Sequence, residues 1–394
     1  MPDAPDLDLA ASRSAPAGRT DPSVHTGPTY SPDRADGAAP GGRAGTTRPP
    51  KQEQLPAERE TVELAPGILR IQLPIAMPGL GHVNAYVLTG GTGPVVVDAG
   101  LPGPATMTAL TDGLGQAGIA LRDIQAVVVT HSHPDHFGAA GELADAAGAP
   151  VVVHGAFRSW WAPEHHLPVE EIPDVDPADL DTENPMLLPT PWGGESLAAG
   201  WARSNEDRWT AGWTPPVPGV RLRDGERIRL GAREWVALHT PGHTIDHLCL
   251  FEPETGVLLS GDHVLPTITP HVPGVGGGRD ALGAYEASLS RVAALPGVQL
   301  VAPAHGLPFS DLAGRVAAIR AHHEARLAEI VGLVAEAEPV GVAELSQRLF
   351  RRERWGPMAE SETYAHLEHL RRTGRVRLVD GRDGARYVVS GSAA

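Results

Sequence analysis

Cysteine is nearly absent from this sequence of 394 residues, which contains a single one, Cys249. One thiol excludes an internal disulfide framework and a zinc site made of several cysteines. Because Cys249 lies in an apolar segment, we expect it to pack in a strand. Long apolar runs are absent too. None approaches the roughly 18 residues of a membrane span, which excludes an integral membrane protein.

The beginning of the sequence lacks the apolar core of a secretion signal and the paired arginines of an export signal. It contains several aspartates instead, which are uncommon in peptides for organelle import. From these absences we expect a cytoplasmic protein that acts without a membrane partner.

Positive charge is scarce, since 32 Lys and Arg against 48 Asp and Glu give a net charge of −16. Residues 61–310 hold most of the excess, with 27 acidic and 12 basic residues. Such a surface repels a polyanion over a Debye length of about 8–10 Å. Nucleic acid is therefore a disfavoured partner, although residues 345–386 are locally basic, with 10 arginines and 6 acidic residues.

Composition and periodicity divide the chain into three parts. Residues 1–58 are rich in Pro, Ala and Gly and poor in large apolar residues, which predicts a disordered tail. Residues 59–310 alternate strands and helices, and the alternation is interrupted over 155–218, which holds six of the eight tryptophans. Residues 311–394 predict a long helix, two shorter helices and a hairpin, the order of a winged helix-turn-helix unit.

Individual elements are predicted from apolar runs and helical spacing. Strands are expected over 68–73, 83–88, 94–97, 126–130, 151–154, 247–252, 257–260 and 299–302, and helices over 104–116, 139–147, 280–295, 311–337, 342–350 and 361–372. A hairpin is expected over 221–238, with Asp224-Gly225 at its turn. His322 and His323, on the long helix, are expected to be solvated.

The segment His131-Ser132-His133-Pro134-Asp135-His136 carries the clearest chemistry in the sequence. It places three imidazoles and a carboxylate within six residues, directly after an apolar strand. Neutral imidazole and carboxylate oxygen are the ligands that Zn²⁺ and similar metals prefer. Alternate residues can face one metal while the remaining two face a neighbouring position, so the spacing suits two metals.

Four further residues follow short apolar strands in the same way: Asp98, His243, Asp262 and His305. Strands that each end in a polar side chain would gather these groups along one edge of a sheet core. Ligands supplied from strand ends are held on rigid elements, as a preorganised metal site requires.

Together these residues resemble the metallo-β-lactamase superfamily over about residues 63–310, in the HxHxDH form of its dinuclear hydrolases. The resemblance implies an α/β fold, the αββα sandwich of that family, with a small C-terminal winged-helix-like α+β domain. It further implies that Asp262 bridges two metals and that Asp98 orients the ligand loop by hydrogen bonds. The implied ligands are His131, His133 and His243 for the first metal, and Asp135, His136 and His305 for the second.

The resemblance also implies a mechanism. Two divalent cations, with Zn²⁺ expected and Fe or Mn compatible with these ligands, would activate a water as hydroxide, so no Ser or Cys nucleophile is required. Asp135 is the candidate catalytic residue, since it can accept a proton while also coordinating. His247, His263 and His271 are candidates for substrate or outer contacts, and an ordinary hydrogen-bonded histidine is the alternative for each.

The substrate class is argued from the remaining segments. Trp160, Trp161, Trp209 and Trp213 are candidates for an apolar lid over the metals, and a small hydrophobic core or a homodimer contact is the alternative. The C-terminal unit resembles that of lactamase-like endoribonucleases and thioesterases. Because of the negative charge, we expect hydrolysis of a small-molecule thioester, ester or lactone. A single-strand-specific endoribonuclease is the alternative, and a DNA-binding sensor is a third option.

Overall fold

The computed structural model describes residues 51–77, 79–159, 166–181, 183–199, 213, 215–337, 339–381 and 384–391. Two sheets form the centre of this part of the chain. The first has seven strands in sequence order, and the second has five in the reverse of sequence order. Residues 1–50, most of the predicted tail, lie outside the described residues.

The first sheet begins antiparallel and becomes parallel from β4 onward. The three inner parallel strands, 95–97, 126–128 and 151–154, are short and fully buried because both of their faces are covered. The strands of the sheet are β1 (Val62–Ala65), β2 (Ile68–Met77), β3 (Leu80–Leu88), β4 (Val95–Val97), β5 (Ala126–Val128), β6 (Val151–His154) and β7 (Pro218–Leu222).

The second sheet is antiparallel except for its last pair, β11 with β12. Its strands are β8 (Arg227–Leu230), β9 (Arg233–His239), β10 (Leu248–Glu252), β11 (Val257–Gly261) and β12 (Leu300–Pro303). The expected strands are confirmed in both sheets, with ends that differ by a few residues.

The hairpin predicted over 221–238 is wrong. β7 pairs with β6 in the first sheet, whereas β8 pairs with β9 in the second. The tight turn of the observed hairpin is Gly231-Ala232, between Leu230 and Arg233. Asp224-Gly225 does form a turn, with Gly225 at φ +73°. The chain uses this turn to pass from one sheet to the other.

Helices cover the outer faces of both sheets. The first sheet packs against α1 (Pro104–Gln116), the short α2 (Pro134–Phe137) and α3 (Ala140–Ala147), and the second packs against α4 (Ala281–Ala293) and α5 (Leu312–Ala337). Along β4, Val95 and Val97 face the second sheet while Val96 faces the helices. This period of two in strands that are buried on both faces produces the predicted αββα sandwich.

Trp235 lies at the centre of the core between the sheets. Its side chain is fully buried, and its Nε1 donates to the carbonyl of Leu230 at 3.3 Å. We expect Trp235→Ala to lower the free energy of unfolding by about 3–5 kcal/mol, because it leaves a large cavity. Urea unfolding measures this loss. Trp355→Ala is the control, since the side chain of Trp355 is exposed, and an equal loss in both variants would contradict the assignment.

The C-terminal unit follows α5 with three short strands and two helices. They are β13 (Val340–Gly341), α6 (Val342–Leu349), α7 (Pro357–Arg372), β14 (Val376–Gly381) and β15 (Gly384–Val389), and the sheet order is β13-β15-β14. Helix α7 begins one turn earlier than predicted, with Pro357 in its first turn. Every residue of α7 from 359 to 371 is buried or half-buried, so this helix packs on both sides.

The prediction that His323 is solvated is wrong. His322 is exposed, but His323 is buried between Tyr285 of α4 and His366 of α7. Its Nδ1 lies 3.2 Å from Nε2 of His366. The helical stripe that carries Val316 and Ile319 passes through position 323, so the burial follows from the spacing of the helix.

The two buried imidazoles make the fold sensitive to acid. Burial lowers the pKa of His323 to about 3 and that of His366 to about 4. The unfolded chain therefore binds more protons below pH 6.5, and stability falls as the pH drops from 6.5 toward 4, by up to about 1.4 kcal/mol per pH unit for each group. We expect His323→Leu to flatten this dependence in urea unfolding between pH 7 and pH 4.5. A slope identical to that of the parent would contradict the expectation.

Glu53 shows that the predicted tail, residues 1–58, was drawn too long at its carboxyl end. Residues 52–54 form a 3₁₀ turn, and the Glu53 side chain is fully buried. Its carboxylate accepts from the backbone amides of Thr267 and Ile268, at 2.7 and 3.0 Å. The fold therefore begins by residue 51. The pattern hid this because a charged residue in a Pro-containing segment is typical of solvent-exposed chain.

The segment 155–218 contains two 3₁₀ turns among its described residues, Val169–Glu171 and Pro177–Asp179. Trp160, Trp161, Trp201 and Trp209 lie outside the described residues. Trp192 packs on Tyr364 and donates to Glu360, and Trp213 packs on Phe137 and donates to the carbonyl of Gly138. Trp192 and Trp213 therefore contribute to the packing of the fold. Among the residues that the structure describes, every helix is too short or too polar to span a bilayer.

Candidate metal centre

Asp98 and six of the seven candidate ligands follow the carboxyl ends of four strands. Asp98 follows β4, the segment 131–136 comes after β5, Asp262 follows β11 and His305 follows β12. Because β4 runs parallel to β5 and β11 parallel to β12, the ends of each pair meet at one edge. His243 lies in the loop between β9 and β10. The two central sheets thus contribute ligands to the same place.

Ligand atoms of four residues form a first group: His131, His133, His243 and Asp262 lie within 4.8 Å of one another. Nε2 of His131 is 3.0 Å from Nδ1 of His133, and Nε2 of His243 is 3.4 Å from Oδ2 of Asp262. His133 caps α2, and Pro134 begins it. Because proline fixes its own φ, it ends the extended His-Ser-His segment and turns Asp135 into a helix.

Ligand atoms of Asp135, His136 and His305 form a second group, also within 4.8 Å of one another. Nε2 of His305 lies 3.4 Å from Oδ2 of Asp135 and 3.3 Å from Oδ1 of Asp262. Oδ2 of Asp262 is 3.7 Å from Nε2 of His136. The structure thus brings all seven predicted ligands together, with Asp262 next to both groups. That they bind metal stays a prediction.

Hydrogen bonds to the far side of the rings aim three imidazoles at the cluster. Nδ1 of His136 contacts Asp98 at 2.8 Å, that of His243 contacts the carbonyl of His271 at 2.7 Å, and that of His305 contacts the carbonyl of His82 at 2.6 Å. Within the described part of the chain, Nε2 of all three is buried without a hydrogen-bond partner, as is Oδ1 of Asp262.

Orphaned buried polar atoms are costly unless something satisfies them. Neutral imidazoles with a fixed Nδ1–H and a free Nε2 are suited to a metal, and so is a carboxylate between them. The donor set of five histidines and two aspartates fits two borderline divalent cations. The residues therefore fit the metal centre that the sequence predicts.

Asp98 organises the ligand loop. Its Oδ1 accepts from the backbone amide of Thr130, and its Oδ2 from the Thr130 hydroxyl and from Nδ1 of His136, all at 2.8 Å. Asp98 is buried and has a left-handed backbone, with φ +60°. A non-glycine residue in that region stores strain and is held by its surroundings. The position matches the orienting role that the resemblance implies.

Charge is distributed unevenly between the two groups. Burial lowers the pKa of His131 well below its usual value, and burial together with His243 lowers that of His133 to about 3. Burial acts in the same direction on His136 and His305, but nearby carboxylates overcome it. They raise the pKa of His136 well above its usual value and that of His305 to about 10. Cation binding at these two Nε2 atoms would therefore release protons.

His247 supports the backbone of Asp262. This contact favours an outer role for His247 over contact with a substrate. The backbone amide of Asp262 donates to Nε2 of the fully buried His247 at 3.0 Å. Nδ1 therefore carries the proton and donates to the hydroxyl of Thr240 at 2.8 Å. Thr240 also contacts Sγ of Cys249 at 3.3 Å. Burial raises the pKa of this thiol to about 12, which agrees with its predicted packing role.

The other two candidate histidines differ from each other. His263 is fully buried and packs edge-on against Tyr285, at 5.1 Å between ring centres. Its burial favours a packing role over contact with a substrate. His271 acts through its backbone carbonyl, which accepts from His243, while its imidazole lies 3.5 Å from the carboxylate of Glu362.

Glycine is required before His243. Gly242 has φ +137°, and a Cβ there would lie 2.4–2.7 Å from the backbone and Cβ of Tyr285. The Pro-Gly-His sequence therefore lets the loop press against α4 and present the imidazole. Any larger residue would displace His243 from the first group.

Sequence reasoning missed several residues that support the ligands. Ser132 donates to the buried Asp246, and this bond ties the ligand segment to the loop of His243. His82 of β3 accepts from His305 through its carbonyl and from the amide of Gly306 through Nε2. Asp246 had a sequence cue in its place between His243 and His247. His82 had none, because it is far along the chain from His305, the candidate ligand that it supports.

Comparisons with known proteins agree with this geometry. The family model described as metallo-beta-lactamase superfamily matches residues 78–305. A metallo-beta-lactamase family protein of Thermus thermophilus has a similar crystal structure, with a TM-score of 0.65 and 30% identity over 83% of this chain and 100% of that one.

Two curated relatives are similar in sequence. The probable metallo-hydrolase YqjP of Bacillus subtilis (strain 168) is 26% identical over 77% of this chain and 91% of its own length. The lactamase-like protein vrtG of Penicillium aethiopicum is 26% identical over 72% of this chain and 71% of its own length.

Proposed function

The chain belongs to the metallo-β-lactamase superfamily, and on that premise we propose that it is a two-metal hydrolase of small-molecule thioesters, esters or lactones. The superfamily consists mainly of hydrolases, and the Bacillus relative carries the name of a probable metallo-hydrolase. The substrate class is inferred from the charge and packing of the residues around the centre.

The observation that carries the proposal is the pair of adjacent ligand groups with Asp262 next to both. His131, His133 and His243 would hold one cation, and Asp135, His136 and His305 the other. When bound, two such cations lower the pKa of a water and offset negative charge on an oxyanion, so they supply nucleophile and electrophile together. We propose Zn²⁺ for both positions.

The protein's own residues perform the positioning. The Asp98 carboxylate and the carbonyls of His271 and His82 fix the rings of three ligands. Each accepts a hydrogen bond from the Nδ1 of one ligand imidazole. His247 fixes the backbone of Asp262. Asp135 is our candidate for proton acceptance at a carboxylate oxygen, since it lies in the second ligand group, beside the position of the proposed cation. The preorganised groups leave little reorganisation to the reaction itself.

The C-terminal unit supports a small substrate over nucleic acid. We propose that it is a winged-helix fold whose second helix, α7, serves for packing. A recognition helix must present one face to a DNA groove, whereas residues 359–371 of α7 are buried or half-buried. Many arginines of the basic stretch already have acceptors: Arg348 with Glu344, Arg371 with Glu368, Arg372 with the carbonyl of Arg279, and Arg386 with the carbonyl of Pro339.

A hydrolysis panel with metal analysis tests the proposal. The purified protein is expected to contain two equivalents of metal per chain and to hydrolyse members of a set of thioesters, esters and lactones. β-Lactams and single-stranded RNA complete the panel. Cleavage of RNA that is abolished by His131→Ala, without turnover of any ester, would replace the proposal by the endoribonuclease alternative. A metal-free protein that is active would overturn both.

A further inference from the structure

Helix α7 lies along the irregular loop 264–280, which connects β11 to α4. Four of its residues contact this loop, two in the second turn of the helix and two near its carboxyl end. The contacts are Ser361 with the amide of Gly274 at 2.9 Å, Glu362 with His271 at 3.5 Å, His369 with Asp280 at 3.0 Å and Arg372 with the carbonyl of Arg279 at 2.9 Å. The C-terminal unit therefore holds the second half of this loop, whereas Glu53 holds its first half through the amides of Thr267 and Ile268.

The same loop supplies one support of the metal centre. The carbonyl of His271 accepts from Nδ1 of His243 at 2.7 Å, and Nε2 of His243 then points at Asp262. A loop without regular hydrogen bonding cannot fix a carbonyl by itself, and 264–280 is rich in Gly and Pro. The imidazole of His271, which contacts Glu362, anchors the residue that carries that carbonyl.

Burial strengthens the contact between Glu362 and His271. Their side chains are 23% and 20% exposed, so the pair is largely protected from solvent. His366, one helical turn after Glu362 in α7, donates from Nδ1 to the carbonyl of Glu362 at 2.8 Å, so the backbone at Glu362 is itself held. The path from α7 to the candidate ligand consists of one side-chain pair, one residue of backbone and one hydrogen bond.

We propose that Glu362 is a positioning residue of the metal centre, through which the C-terminal unit sets the affinity of the position that contains His243. The proposal rests on the metal centre proposed above. It gives the C-terminal unit a function in the chemistry of the catalytic domain without any contact with substrate. Outer partners of metal-bound histidines change affinity about 10–100-fold. Because Glu362 acts through a carbonyl, we expect the lower end of that range.

The test measures metal binding directly. Full-length protein is freed of metal by a chelator and titrated with Zn²⁺ in competition with a chromophoric chelator. In Glu362→Ala, one of the two sites is expected to weaken about tenfold while the other is unchanged. Glu362→Gln, which keeps an acceptor for His271, is expected to lie closer to the parent. The visible spectrum of the Co²⁺-loaded protein should change for one of the two positions only.

Glu368→Ala is the matched control. It removes the same group from the same helix, but Glu368 contacts Arg371 and Tyr387 inside the C-terminal unit. A general loosening of the unit would therefore appear in this variant too. Equal weakening of Zn²⁺ binding in Glu368→Ala and Glu362→Ala would overturn the proposal, as would parent-like binding at both sites in Glu362→Ala.

His271→Ala provides a second route if Glu362→Ala does not fold. It keeps the backbone carbonyl but removes the imidazole that Glu362 holds. The weakening should match that of Glu362→Ala, and the double variant should be no weaker than either single one. Additive losses would overturn the proposal. A parent protein that binds no Zn²⁺ would instead refute the metal centre itself, so the two failures are distinguishable.

Discussion

Asp262→Ala is expected to lose bound metal and hydrolysis together, with turnover lower by about three orders of magnitude or more. Asp262 is the one candidate ligand whose carboxylate lies next to both groups, 3.4 Å from Nε2 of His243 and 3.3 Å from Nε2 of His305. Its removal takes away the carboxylate that lies beside the Nε2 atoms of His136, His243 and His305. Elemental analysis of the dialysed variant, beside an ester hydrolysis assay, checks the result.

Asp311→Ala is the control for that experiment. The Asp311 carboxylate accepts from the amide of Gly314 in the first turn of α5, and it is not among the candidate ligands. It should keep both metals and most of the activity, at a cost of about 1 kcal/mol in stability for the lost cap. If Asp262→Ala retained two metals and full turnover, the central position of Asp262 would have no functional meaning, and the bridging assignment would be wrong.

Removal of metal is expected to abolish hydrolysis and to lower the thermal stability of the whole folded part. A ligand present at a thousandfold excess over its Kd stabilises the native state by about 4 kcal/mol, which for a domain of this size corresponds to roughly 8 °C in Tm. The candidate centre takes ligands from both sheets. Loss of the metals should therefore lower the stability of the whole sandwich. Calorimetry before and after chelation, with the hydrolysis assay in parallel, measures both effects.

Re-addition of Zn²⁺ distinguishes this effect from damage by the chelator. Both Tm and activity should return, and one should follow the other along the titration. Mg²⁺ is the matched control, because it prefers oxygen ligands and octahedral geometry and should restore neither. A Tm that does not respond to chelation, in a protein that elemental analysis shows to contain metal, would mean that the metals lie outside the folded core.

The sequence predicted those parts of the site that depend on local order. A short apolar strand that ends in a polar residue can be recognised in the sequence alone. This pattern located Asp98, Asp262 and His305. The dense segment 131–136 limited the chemistry to metal ligation. In the same way, helix 104–116 was predicted to the residue, because its initial proline and the spacing of Leu110 and Leu114 are local features.

The remainder was beyond the sequence because it depends on which distant segments meet. The turn at Asp224-Gly225 looks the same whether the next strand returns to its own sheet or enters another. Glu53 looked like part of a solvated tail, since nothing local marks the amides of Thr267 and Ile268 as its partners. His271 and Glu362 are separated by 91 residues. Their contact is a property of the packed C-terminal unit.

The division of the ligands between two sheets has a consequence for biosynthesis. The residues at 131–136 leave the ribosome early, but the second group lacks His305 until nearly the whole sandwich has been made. β3 must then receive the returning chain, since Asn84 donates to the carbonyls of Pro303 and Gly306. In a nascent polypeptide, the proposed metal centre would thus be complete only when the two halves of the sandwich have packed together. Metallation of this protein would therefore be a late event that reports completed assembly.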